Sequence, residues 1–188
     1  MANSDAPRGA VVVSNGNGSS YNGQTREMEV DASNATAIFP GDFITLEDDG
    51  NCAPAAAGGV IYGRCSGVKI NPAVAATIHP GYLPASTAGQ IYVDVGEDLV
   101  YSMQEDSVGG SLALTAVGSN VDIIAGAGST VTGLSGHEID SSTSTDGAPG
   151  SAQLRIIGLD TRVDNAVGTN AKWLVKVVES HFASATGL

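Results

Sequence analysis

Three histidines, two cysteines and a few acidic turns are the residues of this chain with chemistry to offer. His79, His137 and His181 stand far apart. None has another His or Cys three to five positions away, the spacing that builds a zinc site. His137-Glu138 lacks the second histidine of a metalloprotease motif, so surface or loop positions are expected for all three. Ser135-Gly136-His137-Glu138 holds a serine and a histidine, but a triad needs a nucleophile, a base and an orienting group that converge, and neighbours on one loop do not. Asp48-Asp49-Gly50-Asn51 and the acidic run at 94–98 are rich in oxygen. Calcium asks for about six or more oxygens at set positions, and neither run has that spacing, so both read as solvated turns. Gly126-Ala127-Gly128-Ser129-Thr130 has the glycines of a phosphate loop but no lysine and no helix behind it. No catalytic residue, cofactor or metal ligand is expected.

Cys52 and Cys65 lie 13 positions apart. A bridge between them is geometrically conceivable, but nothing marks an oxidising compartment, and free, half-buried thiols are the expectation. At 188 residues the chain suits one domain, or one domain with an arm. Only 15% of residues are charged while 42% are hydrophobic, so a core is affordable and small neutral side chains cover the surface. That suits a protein lying against other proteins, and equally a loop-rich β domain. The net charge of −12, with 8 basic residues in no cluster, repels phosphate backbones and anionic lipid, so neither nucleic acid nor membrane is an expected partner. No signal peptide or membrane span is read from the chain.

The elements are short. Residues 1–25 are polar and rich in Gly, Asn and Ser. Alone this stretch buries little, so it is a disordered tail or an extended arm that orders on a partner. Its adhesive points are Pro7, Arg8, Val11, Val12, Val13 and Tyr21. It is expected to be mobile in the free protein, its loss leaving the melting temperature nearly unchanged. Residues 26–188 form the β domain. Residues 26–30 alternate, with Arg26, Met28 and Val30 on one face and Glu27 and Glu29 on the other. The central stretch, 39–68, reads as a hairpin-like pair: Phe43 to Leu46, a turn at 48–51, then a strand starting at Val60, Ile61 and Tyr62. Prolines at 72, 80 and 84 keep helix out of the Ala-rich loop that follows. Residues 90–95 and 99–103 read as strands joined by Gly96-Glu97-Asp98 in a tight hairpin. Residues 108–118 are ambiguous between a helical turn and a loop. A short strand at 121–125, a Gly/Ser/Thr loop at 126–136 and a linker-like run at 141–150 come next. Strands at 153–159 and 173–179 close the chain, the valines of WLVKVVE favouring strand over helix.

The pattern predicts an all-β fold, a compact sandwich or barrel of roughly seven to ten short strands. The expected core is Ile44, Leu46, Ile61, Val93, Val100, Ile123, Ile156, Trp173 and Val175, with Tyr62, Tyr82, Tyr92 and Tyr101 in strand packing. No fixed-period repeat is present, which excludes solenoids and propellers.

Four segments resemble a family of tailed-bacteriophage head proteins that decorate or cement the capsid. They are MANSDAPRGAVVV with GSSYNGQTREMEV, DASNATAIFPGDFITLEDDGN with AAAGGVIYGRCSGV, YLPASTAGQIYVDVGEDLVYSMQED, and LRIIGLDTRVDNAVGTNAKWLVKVVESHF. The resemblance implies a β domain, jelly-roll or β-tulip-like, on the capsid exterior and assembled in the host cytoplasm. It implies the major capsid protein and copies of itself, as dimer or trimer, for partners, and no enzymatic activity. A phage fibre or host-recognition β module is the alternative. Such a module usually carries repeats or a coiled-coil stem, and this chain has neither.

Overall fold

A computed structural model describes residues 3–69, 80–144 and 152–183. His79, most of the Ala-rich loop and most of the linker-like run fall outside the described residues. The fold is all-β: the described residues form twelve strands and two single 3-10 turns, Leu114–Ala116 and Ser141–Thr143. The expected strand number was too low because several glycine-bearing stretches pair as strands.

Two five-stranded antiparallel sheets make up most of the molecule. The first holds β1 (Val11–Asn15), β7 (Leu99–Gln104), β12 (Lys172–Val177), β11 (Leu154–Leu159) and β8 (Asn120–Val121), in that spatial order. The second holds β2 (Thr25–Val30), β6 (Gly89–Asp94), β5 (Gly63–Lys69), β3 (Phe43–Leu46) and β4 (Cys52–Pro54). Its two edge strands, β2 and β4, come into contact, so this sheet curls around a core of its own. A separate hairpin pairs β9 (Ile123–Ser129) with β10 (Leu134–Ile139).

The period-two alternation of β3 divides two hydrophobic cores. Phe43 enters the first, with Tyr101, Met103, Leu154, Ile156, Trp173 and Val175. Its neighbour Ile44 enters the second, with Val30, Cys52, Tyr62, Cys65, Ile91 and Val93. Eight of the nine expected core residues are buried, and Leu46 is half-buried against the second core. Both cysteines are free and wholly buried, deeper than expected, and burial pushes each thiol up to about 12. They are held as thiols, which are poor nucleophiles.

Four expectations need correction. First, residues 96–98 do not close a hairpin: β6 pairs with β2 and β5, while β7 pairs with β1 and β12. The short connection carries the chain from one sheet to the other, because every residue of β7 is buried and needs a neighbour on each side. Second, the loop at 126–136 is largely the β9–β10 hairpin. Its glycines permit close approach: a Cβ on Gly126 would meet the Gly136 carbonyl at 2.2 Å, and one on Gly128 would meet the Phe39 ring at 2.3 Å. Third, the second central strand begins at Gly63. Tyr62 donates its N–H to the Ile44 carbonyl at 2.7 Å, and Ile61 forms a lone parallel bridge to Ser180. Fourth, Asp94 is no solvated turn residue. It ends β6, is buried, and pairs with Arg64 at 2.8 Å.

The stretch read as an arm is tied to the β domain over much of its length. Val11 and Val12 pair with Ser102 and Tyr101 of β7. Ala10 is buried, its N–H donating to the Gly41 carbonyl at 2.9 Å and its carbonyl accepting from Arg64 Nε at 2.8 Å. Asn3 donates to the carbonyls of Ala166 and Thr169 and accepts from Ala166 N–H at 3.0 Å. Composition concealed this, because the apolar surface that receives the segment comes from β7 and β12, far along the chain.

Candidate functional site

The strongest chemical grouping was read from sequence as unrelated loop residues. The β9–β10 hairpin folds His137 and Ser135 against Asp42, just before β3, and all three are buried. His137 Nδ1 accepts from Phe43 N–H at 3.2 Å, which leaves the ring proton on Nε2, 3.6 Å from Asp42 Oδ1. Asp42 Oδ2 accepts from Phe39 N–H at 2.7 Å. The Ser135 hydroxyl lies against the Asp42 carboxylate and accepts from His137 N–H at 3.0 Å. The serine therefore faces the acid rather than the imidazole, the reverse of what proton abstraction requires. The group staples the hairpin to β3. His137 is thus a buried histidine, not a surface one, and His181 is half-buried, its Nε2 3.1 Å from Thr45 Oγ1. No cluster of His, Cys, Asp or Glu with metal-holding geometry occurs among the described residues.

Burial pushes the Asp42 carboxyl up and the His137 imidazole down, the latter opposed by the Asp42 charge. A histidine held below its unfolded value of about 6.5 takes its proton less readily folded than unfolded. Its stabilising contribution is present above that pH and is lost as pH falls toward the folded value. Asp42 acts with the opposite sign: its raised value favours the fold in acid, and that contribution is lost as pH rises through the raised value. His137→Gln keeps an acceptor for Phe43 N–H and removes the imidazole. Just below about pH 6.5, the loss of unfolding free energy in urea titrations should flatten in this variant by up to about 1.4 kcal/mol per pH unit. Parallel wild-type and variant slopes would show that His137 protonates equally well in both states.

An open groove of about 210 Å³ lies on the outer face of the first sheet, lined by Arg8, Val11, Val13, Arg162 and Lys172, with Ser102, Gln104 and Asp160 among the other lining residues. Strand alternation explains its composition. In β12, Trp173 and Val175 turn into the core, so Lys172, Leu174 and Lys176 face outward. Across from them, Ser102 donates to Asp160 Oδ2 at 2.6 Å. The Gln104 amide donates to Asp5 at 3.0 Å and Glu138 at 2.9 Å. The β11–β12 loop is braced by Asn165, whose side chain donates to the carbonyls of Asp160 and Lys172 and accepts from Lys172 N–H at 2.8 Å.

The six expected contact residues divide. Arg8, Val11 and Val13 meet at the groove, with Val13 50% exposed. Val12 packs against the first core, as does Tyr21, whose hydroxyl donates to Asp94 at 2.8 Å. Pro7 is half-buried beside Arg8. Sequence reading missed Arg162, Lys172 and Asp160. The available signal was scarcity: three of the chain's eight basic residues line this one groove. A second, more polar groove of about 620 Å³ is lined by Asn15, Ser19, Tyr21, Asn22, Gln24 and Glu97, among others.

The chain matches no protein-family model, no curated protein and no solved structure.

Proposed function

We propose that this protein is a non-enzymatic structural component of a tailed-phage virion, a decoration or cement protein that binds the major capsid protein on the outside of the head and associates with copies of itself. The four segments given above support that reading, as does an all-β domain with two cores. The observation that carries it is the groove on the first sheet, which gathers Arg8, Val11 and Val13 into one exposed surface. Contact area added there across neighbouring capsid subunits would resist the internal pressure that tries to open the shell. No cofactor, nucleic acid or membrane enters the proposal.

Purified protein mixed with expanded empty heads of the phage that encodes it should give regular outer-surface density in negative stain, and heads that stay bare overturn the reading. The polar groove favours a second reading, a host-recognition β module, since amide, hydroxyl and carboxylate side chains beside Tyr21 suit the hydroxyls of a glycan. Glycan binding without head binding selects that alternative.

A further inference from the structure

Charge is distributed unevenly over this acidic chain. Register places Arg155 opposite Lys176 on the outer face of the first sheet, and Lys172 lies on that same face of β12. With Arg8 and Arg162 at the groove, five of the eight basic residues share this side. Part of that charge is answered locally: Lys176 meets Asp98 and Arg162 meets Asp164. Arg8 and Lys172 form no ion pair among the described residues.

The opposite charge gathers at the seam where the second sheet curls on itself. The β3–β4 turn carries Glu47, Asp48 and Asp49, with Asp31 near enough to act on Glu47. None of these four carboxylates forms an ion pair among the described residues. Asp48 and Asp49 are exposed at the tip. The turn is firmly shaped: Glu47 N–H donates to the Asn51 carbonyl at 2.9 Å, and Asp49 Oδ1 accepts from Asn51 N–H at 3.0 Å.

We propose that the protein associates with itself head to tail, the Glu47–Asp49 turn of one copy seating in the groove of the next, against Arg8 and Lys172. Two chains of net charge −12 repel at long range, so a stable contact must bring unlike patches together. A turn with two exposed carboxylates complements a groove whose three cations, Arg8, Arg162 and Lys172, outnumber its one lining carboxylate, Asp160, and whose apolar wall is Val11 and Val13. Asp164 pairs with Arg162 and also feels Lys172, so Arg8 is the cation left most open to a partner. The two patches share no residue, so each copy offers both a turn and a groove, and the contact either closes on itself, the smallest case being a two-fold pair with two such contacts, or propagates into an open filament. The proposal sharpens the self-association in the reading above and rests on it only for purpose. Its test uses no capsid, so either can fail alone.

Sedimentation equilibrium of the full chain is the test. Wild type should form oligomers at low ionic strength that dissociate as salt rises, because exposed charges are screened beyond about 10 Å at 0.1 M. Arg8→Glu with Lys172→Glu, and separately Asp48→Lys with Asp49→Lys, should each weaken association about tenfold or more. Mixing the two double variants should restore association in alternating order, since the reversed groove of one takes the reversed turn of the other and their two unreversed faces still pair. Restoration on mixing also shows that both variants are folded. A wild type that stays monomeric at low salt, oligomers indifferent to both reversals, or a mixture that fails to associate while both variants keep the wild-type melting curve would each overturn the proposal.

Discussion

Deleting residues 2–20 should unfold or severely destabilise this protein, lowering its unfolding free energy by roughly 4–6 kcal/mol. The deletion removes β1 and strips β7 of its outer partner. Burial of Ala10 and the partial burial of Val12 against the first core are lost; a fully buried valine contributes about 1.5–3 kcal/mol, and the half-buried Val12 correspondingly less. Arg64, largely buried beside Asp94, loses the Ala10 carbonyl that accepts from its Nε, and an orphaned buried donor costs about 1–3 kcal/mol. Domain stabilities are about 5–15 kcal/mol, so the loss is a large fraction of the whole. The bared edge of β7 should also promote aggregation, since unpaired strand edges template further pairing. Urea titration followed by far-UV circular dichroism measures the effect. A truncated chain with the wild-type midpoint would show that residues 2–20 add nothing to the folded domain, which is what composition alone led one to expect.

Trp173→Ala should lower stability by about 3–5 kcal/mol. The indole is 0% exposed and belongs to the first core. Its register partners are Met103 on β7 and Leu159 on β11, so it lies where three strands meet, and the backbone ladders on both sides hinder collapse of the void. Trp173→Phe keeps most of the apolar volume and should lose much less. The comparison separates the cavity from any change in strand pairing. Urea midpoints with unchanged slopes measure it. An alanine variant that unfolds at the wild-type midpoint would place the ring outside the core.

Local pattern carried much of this fold. The alternation in residues 26–30 and the valines of β12 reflect preferences set by near neighbours, and both stretches are strands; the absence of any sustained helical period is of the same local origin. The buried positions of Ile44, Val93, Ile156 and Trp173 followed from the same reasoning, because an apolar residue on a half-wet strand has one face to hide in. The candidate site was far less legible. Of its cations only Arg8 was named, and Arg162 and Lys172 lie more than 150 positions away in the chain.

What the sequence by itself determined is therefore the class of fold, the strands with β-branched or alternating residues, and most of the core. Tertiary structure alone decided the pairings. A three-residue connection at 96–98 serves a hairpin or a change of sheet equally well locally, and the burial of every residue of β7 selects the second. Val11–Asn15 carries too little apolar surface to fold alone and becomes a strand because β7 offers it a ladder. His137 looks like a polar loop residue until the close approach of Gly126 and Gly136 folds its hairpin onto Asp42. In each case propensity acts over a few residues, whereas burial and hydrogen-bond partners come from segments that only the folded chain brings together.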